Sequence, residues 1–333
     1  TTYIFRHDAM GQQFLEALKR AVARKVEVRV LIDDAGARYS WRPMPRILRQ
    51  AGIPCAQFLP TLIPWRFRYS NLRNHRKIMV VDGKIGFAGG INIDERNCFG
   101  RQSRHPIQDL HFRLMGPVVT QLQKVFVDDW AFSCGELLQG EPWFAPIAPD
   151  GAVLARGIPD GPDDDFETLR LTLLGAIACA RSSVHVVTPY FLPDASLIAA
   201  LNVAALRGVQ VNLVLPAVND LALVQWASTG LLRQVLERGC RVWLSPPPFD
   251  HTKLLLVDEL WTLLGSANWD PRSLRLNFEF NVECYDRELA TSLTDLVRSK
   301  IQNSRALKLE DVDGRSLPIK LRDGVAGIFS PYL

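Results

Sequence analysis

Two segments of the chain carry the same set of reactive side chains at the same spacing. The first, NHRKIMVVDGKIGFAGGINI, spans residues 74 to 93, and the second, DHTKLLLVDELWTLLGSANW, spans residues 250 to 269. In each segment a histidine is followed by a lysine at +2, an aspartate at +7 and an asparagine at +17. A lone histidine beside an apolar strand is usually structural, whereas two matched sets indicate one catalytic task. The candidate residues are His75, Lys77, Asp82, Asn92, His251, Lys253, Asp258 and Asn268.

Phosphoryl transfer is the chemistry that suits paired histidines, lysines and asparagines. A neutral imidazole can attack phosphorus and form a covalent intermediate, which divides one difficult displacement into two easier ones. A second imidazole, protonated at the start, gives its proton to the leaving alkoxide and later takes one from the incoming alcohol. Ammonium and amide groups would hold the non-bridging oxygens, in the role that a metal ion has in many such sites. We therefore expect neither a metal ion nor an organic cofactor.

The elements that position these residues are predicted to be strands. Residues two apart on a strand point to the same face, so His75 and Lys77 should project together while Arg76 turns away. Each cluster is followed by an apolar run that indicates a hairpin partner, KIGFAGG in the first half and LWTLLGSAN in the second. The small residue at +15 is Gly90 in the first copy and Ser266 in the second.

The remaining pattern also repeats, which predicts two similar halves. The helical spacing of GQQFLEALKRAVARK and the alternating strand VEVRVLID have counterparts at an offset of 183 in LIAALNVAALRGVQVNLVLP. Strands that alternate with helices favour an α/β fold with two pseudo-symmetric lobes, each a mixed sheet flanked by helices. The segment between the halves is dense in Pro, Gly and Asp, which is typical of a linker and not of a buried element. We assign residues 1–138 to the first lobe, 139–165 to the linker and 166–333 to the second lobe.

Composition limits the function classes without naming one. The chain has 333 residues, is 47% hydrophobic and carries a formal charge of +4, which permits an anionic partner but does not demand one. Its six cysteines are scattered, so we interpret them as small core residues in a reducing compartment. No apolar run approaches the roughly 20 residues that span a bilayer. The chain opens on TTYIF, as if cut inside a strand, so an N-terminal anchor could have been removed.

The two histidine, lysine and aspartate blocks resemble the paired HKD motifs of the phospholipase D superfamily. Within it, the chain is most similar to bacterial cardiolipin synthases, through TYIFRHDAMGQQFLEAL, the first motif, DLHFRLMGPVV and GSANWDPRSLRLNFEFN. The resemblance covers most of the chain and is weakest in the linker and in about the last 30 residues. It implies a two-lobed fold with one active site between the lobes, and transfer of a phosphatidyl group from phosphatidylglycerol to a second phospholipid alcohol.

The resemblance also implies roles for individual residues. It implies a phosphohistidine on His75 and a general acid at His251, although the two are indistinguishable from their spacing. Lys77, Lys253, Asn92 and Asn268 would hold the phosphate. Asp109 and Glu279 would hydrogen-bond the catalytic imidazoles and fix their tautomers. Asp82 and Asp258 belong to the motifs and are interpreted as structural residues of the strand and turn.

A stretch of aromatic and basic residues precedes the first motif. PWRFRYSNLRNHRK, residues 64 to 77, contains Trp65, Phe67 and Tyr69 among arginines, which suits a membrane interface and also single-stranded nucleic acid. We favour anionic phospholipid and a membrane surface as partners, with no nucleic acid, at the bacterial cell membrane. A hydrolytic phospholipase D, a nuclease of the same superfamily and a catalytically silent binding protein are the alternatives. Two intact clusters argue against the last, because binding alone does not need them.

Overall fold

A computed structural model describes residues 1–60, 71–98 and 103–330. Trp65, Phe67 and Tyr69, predicted to lie at the mouth of the site, fall outside the described residues, so that prediction stays untested.

The first half contains four α-helices and seven strands among its described residues. The helices are α1 (Ala9–Ala23), α2 (Asp34–Ala37), α3 (Met44–Gln50) and α4 (Val118–Cys134). The strands are β1 (Val30–Asp33), β2 (Cys55–Phe58), β3 (Arg73–Asn74), β4 (Ile78–Val81), β5 (Ile85–Gly89), β6 (Ile107–Gln108) and β7 (His111–Met115).

The rest of the described chain contains seven helices and nine strands. The helices are α5 (Thr168–Cys179), α6 (Ala195–Leu206), α7 (Ala222–Leu236), α8 (Pro271–Arg275), α9 (Arg287–Gln302), α10 (Leu309–Asp313) and α11 (Leu317–Ile328). The strands are β8 (Leu154–Asp160), β9 (Ser183–Val187), β10 (Gln210–Pro216), β11 (Arg241–Ser245), β12 (Phe249–Asp250), β13 (Leu254–Val257), β14 (Trp261–Gly265), β15 (Asn277–Tyr285) and β16 (Arg305–Leu307).

The second half is built on one large mixed sheet. Its strand order is β16, β11, β10, β9, β13, β14, β15, with β8 and β3 also paired to β15. The strands β11, β10 and β9 are parallel, and β9 then pairs antiparallel with the hairpin of β13 and β14. The predicted hairpin after the second histidine is therefore present.

The first half repeats this order on a smaller scale. Strands β1 and β2 are parallel, and β4, β5 and β7 form an antiparallel sheet. The residues Thr1 and Thr2 connect the two pieces, because Ile78 donates to the carbonyl of Thr1 (3.0 Å) and Thr2 donates to that of Leu31 (3.1 Å). They occupy the place that β9 has in the other half. The predicted fold class, a mixed sheet with helices in each of two similar halves, is confirmed.

Local chemistry explains where the first helix and strand begin. Asp8 caps α1, since its carboxylate accepts a hydrogen bond from the amide of Gly11 (2.9 Å). The helix is followed by Lys25 in a left-handed conformation (φ 63°). The strand that we predicted from Val26 begins only at Val30, where the parallel pairing with β2 starts. The alternating apolar pattern thus starts at Val26, four residues before the first residue that pairs with β2.

One hydrophobic cluster joins the two halves. It includes Val119 and Leu122 from α4, Val297 from α9, and Leu254 and Leu256 from β13. These side chains are almost fully buried. Helices α4 and α9 therefore contribute apolar faces to a core that is common to both halves, and this fixes how the two motifs face each other.

Two short strand pairs also cross from one half to the other. Strand β3 pairs in parallel with the start of β15, so that Asn74 lies opposite Phe278. Strand β12 pairs in parallel with β6, so that Asp250 lies opposite Gln108. Each crossed pair stands directly before a histidine of one motif and a carboxylate residue of the other half. We call these two pairs the crossed strands.

The structure corrects the interpretation of residues 139–165 as free of buried elements. Residues 154–160 form β8, which pairs along its whole length with β15, and Ile158 and Asp160 are buried. Its Pro159 is tolerated because β8 is an edge strand, where a missing N–H breaks no ladder. The proposed boundaries of the two lobes remain a prediction.

The cysteines are only partly core residues. Cys240 and Cys284 are buried, as predicted, whereas Cys134 and Cys179 are exposed. The last two are the final residues of α4 and α5, where a helix leaves the packed layer. Their prediction as core residues was wrong.

Candidate active site

The main chain of one half holds each histidine of the other half in place. The amide of His75 donates to the carbonyl of Phe278 (2.9 Å), and the amide of His251 donates to that of Gln108 (2.7 Å). Both bonds continue the crossed strands by one residue. The two predicted catalytic histidines therefore emerge at related positions of one central seam.

The two imidazoles are bonded to the two predicted carboxylates in a crossed arrangement. The Nδ1 atom of His75 lies 2.9 and 3.0 Å from the carboxylate oxygens of Glu279, and the Nδ1 atom of His251 lies 2.7 Å from Asp109 Oδ2. Spacing in the sequence gave no sign of this crossing. Each half supplies the carboxylate that orients the imidazole of the other.

The charge of these carboxylates fixes the histidine tautomers. Burial alone would raise the pKa of Glu279, but His75 and Lys77 outweigh it and hold the pKa below its usual range. Burial would likewise raise the pKa of Asp109, and Lys253 and His251 lower it instead. An ionised carboxylate only accepts hydrogen bonds, so Nδ1 of each neutral imidazole carries the proton. The Nε2 atom then holds the lone pair that a nucleophile or a base needs.

Burial keeps both imidazoles neutral near pH 7. Burial, reinforced by the nearby ammonium groups, lowers the pKa of His75. Burial and then Lys253 lower the pKa of His251 to about 4. In both cases the carboxylate partner opposes the shift without cancelling it. A negative charge placed between the lysines would act in the opposite direction and favour a protonated imidazole.

The two motif lysines are buried and held by their own histidines. Lys77 Nζ donates to the carbonyl of His75 (2.6 Å), and Lys253 Nζ donates to the carbonyl of His251. Burial lowers the pKa of Lys77 to about 7 and that of Lys253 to about 8. The charge of each lysine also interacts with both Asp109 and Glu279. The two motifs therefore form one electrostatic site and not two.

The predicted asparagines differ in their contacts. Asn92 accepts a hydrogen bond from the amide of Ile4 (3.1 Å) through Oδ1, which leaves its amide nitrogen for other partners. Asn268 is buried and donates to Asp270, while its Oδ1 accepts no hydrogen bond from the residues that the structure describes. An amide nitrogen carries two N–H groups, so Asn268 keeps one after that bond.

The motif aspartates lie in the hairpin turns, away from the imidazoles. Asp82 is exposed between β4 and β5. Asp258 accepts hydrogen bonds from the amides of Arg181, Ser182 and Ser183 (2.7 to 2.9 Å) and borders a cavity of about 590 Å³ at that end of the sheet. The structure thus places neither aspartate with the histidines.

The glycine-to-serine difference at +15 follows from the unequal lengths of the two carboxylates. A Cβ at Gly90 would lie 2.3 Å from Asp109 Oδ2, so the short aspartate leaves no room for a side chain there. In the second copy Ser266 Oγ donates to Glu279 Oε2 (2.6 Å), and Asn277 donates to Oε1 (3.1 Å). The carboxylate beside His75 is therefore shared among more donors than the one beside His251.

Gly90→Ala is expected to lower kcat by about 100-fold, the order of loss that follows a misplacement of about 1 Å. The new methyl group must displace the Asp109 carboxylate, which then no longer orients His251. Ser266→Ala, the matched change in the other copy, adds no atoms and removes the serine hydrogen bonds to Glu279 (2.6 Å) and from the amide of Phe280 (3.0 Å), so it should cost only about 10-fold. Steady-state kinetics on a soluble short-chain substrate would measure both.

The same kinetics in an Asp109→Ala background would test the cause. Gly90→Ala should add little there, because contacting residues are not additive. A full further loss would mean that the methyl group acts elsewhere.

Sequence reasoning missed the buried ionic contacts beneath each motif. Arg76 turns away from His75, as the strand spacing predicted, and donates to Asp129 on α4 (2.5 Å). Asp129 also accepts from Asn74 (2.7 Å), the residue before His75. In the second copy Lys300 on α9 pairs with Asp250 (2.5 Å), the residue before His251. The helices that follow each motif thus anchor its first residue.

Two tyrosines from outside the motifs contact the imidazoles. The ring of Tyr3 lies 5.1 Å from that of His75, and the ring of Tyr190 lies 6.2 Å from that of His251, both edge to face. Tyr3 also lies under the ammonium of Lys77 at 5.3 Å. Tyr3 follows Thr1 and Thr2, and Tyr190 follows β9, and these two segments occupy matching places in the two halves. The internal repeat could therefore have indicated both tyrosines.

A family model and several curated proteins match this chain. The model described as "Cardiolipin synthase, PLD-like domain" matches residues 1–130 and 173–300. Cardiolipin synthase 2 of Staphylococcus epidermidis is 34% identical over 333 residues, which cover 99% of this chain and 68% of that protein. The major cardiolipin synthase ClsA of Bacillus subtilis is 34% identical over 334 residues, 99% of this chain and 69% of that protein.

A solved structure supports the same fold. The phosphatidylserine synthase of Haemophilus influenzae superposes with a TM-score of 0.76, at 15% identity, over 100% of this chain and 89% of that one. At this identity the likeness concerns the fold. No described helix of this chain is long and apolar enough to cross a membrane.

Proposed function

Because the chain belongs to the phospholipase D superfamily, with the PLD-like domain of cardiolipin synthases, we propose that it is a phosphatidyltransferase of the cardiolipin synthase type. It takes the phosphatidyl group of phosphatidylglycerol and gives it to a second phospholipid that carries a free hydroxyl. It works at the surface of a bacterial membrane. The observation that carries this proposal is the crossed pair of imidazoles, each with Nδ1 on a carboxylate and Nε2 free to react.

The first half-reaction forms a bond between His75 and phosphorus. Nε2 of His75 attacks the phosphodiester, and the bond from phosphorus to the glycerol oxygen breaks. His251 gives its Nε2 proton to that oxygen, and glycerol leaves. Burial lowers the pKa of His251 to about 4, and the substrate anion between the lysines raises it again, which makes the imidazole an acid when it is needed.

The second half-reaction reverses these roles. The acceptor hydroxyl loses its proton to His251, and its oxygen attacks the phosphohistidine. The bond from phosphorus to Nε2 then breaks, and His75 is free again. His75 is assigned as the neutral partner and His251 as the acid because the resemblance to the paired HKD motifs implies it; Glu279 accepts from two further side chains, and Asp109 accepts from the amide of Leu110 (2.7 Å).

Phosphate binding falls to the lysines and the asparagines. Lys77 and Lys253 each use one N–H on a backbone carbonyl, so two N–H groups of each ammonium remain for phosphate oxygens. Asn92 and Asn268 add amide donors. Such donors, placed before the substrate arrives, contribute about 3 kcal/mol each to the transition state. Asp82 and Asp258 hold the hairpin turns and do not touch the substrate.

Mass spectrometry of lipids tests the proposal directly. The protein is mixed with phosphatidylglycerol vesicles, without added metal and with a chelator present, and His75→Ala serves as the inactive control. Cardiolipin together with free glycerol supports the transferase. Phosphatidic acid as the sole product would replace it with a hydrolase, and intact phosphatidylglycerol would contradict both.

A further inference from the structure

Helix α11 presents an apolar stripe to solvent. Leu317, Leu321, Val325 and Ile328 follow one another at spacings of four, four and three residues, and all are exposed, Leu317 by 69% and Ile328 by 72%. Such spacing places them on one face of the helix. The opposite face packs inward through Ala326, which is 2% exposed. A helix that is apolar on its outer face needs a partner that is not water.

Cations border this stripe on both sides. At about 100° per residue, Lys320 and Arg322 lie on either side of it, between the stripe and the buried face. Arg322 stacks on Trp226 of α7 at 4.3 Å and pairs with Asp323 (2.7 Å), and these two contacts hold the arginine at the edge of the stripe. Apolar side chains between basic borders match a lipid interface, where the apolar groups pass below the headgroups and the cations stay at phosphate level.

Helix α11 packs, through the face opposite the stripe, on a cluster next to the second histidine. Ala326 packs with Val224 and Ala227 of α7, in a small cluster that also includes Tyr190. Tyr190 is the residue whose ring contacts His251. The turn before α7 and the first turn of α7 add further exposed apolar side chains, at Val218, Leu221 and Leu223.

The first half has a related feature beside the other histidine. Trp41, in the loop between α2 and α3, is 100% exposed, and Arg42 next to it is exposed as well. The neighbouring Tyr39 contacts Tyr3 (6.3 Å), and Tyr3 contacts His75 (5.1 Å). Aromatic contacts thus link His75 to the loop that carries Trp41, and His251 is linked through Tyr190 to the cluster beneath α11.

We propose that these residues form a docking surface for an anionic phospholipid bilayer, arranged around the mouth of the active site. We call it the apolar rim, and it consists of Tyr39, Trp41, residues 218–223 and the α11 stripe. The inference rests on the proposed function, because an enzyme that draws both substrates from a bilayer must place its site against one. The bilayer, and not a second copy of the chain, is favoured because the cations border the stripe where lipid phosphates would lie.

Vesicle co-sedimentation with charge-bearing variants is the test. Leu321→Glu combined with Ile328→Glu puts two carboxylates on the stripe, and Trp41→Ala alters the other side of the site. We expect the first to weaken binding to phosphatidylglycerol vesicles by about 10-fold or more, since inserted charge removes both the apolar and the electrostatic attraction. Turnover of a soluble short-chain phosphatidylglycerol should stay within about 2-fold of the unmodified protein, because the rim does not touch the reacting atoms.

Leu206→Glu is the matched control. Leu206 is as exposed as Leu317, at 69%, but it ends α6 at the far end of β10. This variant should bind vesicles like the unmodified protein. Equal loss in the control and in the rim variants would overturn the proposal, as would rim variants that bind normally.

Fluorescence gives a second, direct measurement. Vesicles with bromine-labelled acyl chains should quench part of the tryptophan emission, and the quenched part should shrink in Trp41→Phe. Unchanged quenching in that variant would contradict insertion of this loop.

Two further outcomes separate the surface from the function. A protein that binds vesicles through the rim but makes no cardiolipin would refute the proposed function and keep the surface. A rim variant that loses a dimer in sedimentation, while vesicle binding persists, would assign the stripe to a second copy of the chain and overturn the bilayer.

Discussion

His75→Ala and His251→Ala are both expected to lose about 10⁵-fold or more in kcat with phosphatidylglycerol, yet to differ on an activated donor. The scale is that seen when a covalent nucleophile or its proton-transfer partner is removed. A p-nitrophenyl phosphodiester has a leaving group that departs without a proton. With it, His251→Ala should still form the bond between His75 and phosphorus, while His75→Ala should form none.

The covalent species itself is the best measurement. In His251→Ala the intermediate should accumulate, because no base remains to activate the acceptor. Mass spectrometry of the acid-unstable, alkali-stable adduct would locate the phosphorus on His75, and one equivalent of nitrophenol should be released as a burst. The reverse pattern, with the adduct on His251, would exchange the two roles and leave the crossed geometry unchanged.

Neutralising the lysines should have the next largest effect. Lys77→Met and Lys253→Met are each expected to lower kcat/KM by about 10²- to 10³-fold, as for other preorganised donors to a developing negative charge. The loss should appear in the transition state more than in binding, so kcat falls as well as kcat/KM.

The pH dependence follows from the same groups. A lysine is charged below its pKa, and burial lowers the pKa of Lys77 to about 7 and that of Lys253 to about 8. The value of kcat/KM, which reports the free enzyme, should therefore fall as the pH rises through this range. The bound phosphodiester anion raises both pKa values, so the fall in kcat should begin at a higher pH.

Lys77→Arg is the matched control for this assignment. Arginine keeps its charge at any pH in the assay, so the part of the alkaline fall that belongs to Lys77 should disappear even if the activity is lower. A profile of kcat/KM that stays flat to about pH 9 in the unmodified protein would show that both lysines remain charged up to that pH.

The sequence predicted the parts of the site that depend on regular spacing. Strand alternation placed His75 with Lys77 and turned Arg76 away, and the hairpin after each motif could be anticipated from its apolar run. These features depend on residues within about 20 positions of each other, and over that range the spacing of apolar residues predicts strands and hairpins well. The same reasoning gave the fold class, because a repeated order of helices and strands has few possible packings.

Contacts between distant parts of the chain could not be predicted in this way. His75 and Glu279 are separated by 204 positions, and His251 and Asp109 by 142, so no local pattern records which imidazole meets which carboxylate. The sequence around Asp129 is that of an ordinary helix and does not indicate that this carboxylate forms a buried ion pair with Arg76. Residues 154–160 were wrongly predicted as a linker because their Gly and Pro residues are typical of loops. Their strand conformation depends on pairing with β15, which lies far away in the sequence.

The crossed strands have a consequence for how such a chain could diversify. A single half that paired with an identical copy about a two-fold axis would already make both crossed contacts, but every residue would then appear twice in the same setting. Fusion of the halves into one polypeptide removes that identity. Glu279 can be one methylene longer than Asp109, and Ser266 can replace a position that must be glycine in its twin. Covalent linkage thus allows two histidines of common design to specialise, one for bonding to phosphorus and the other for carrying the proton.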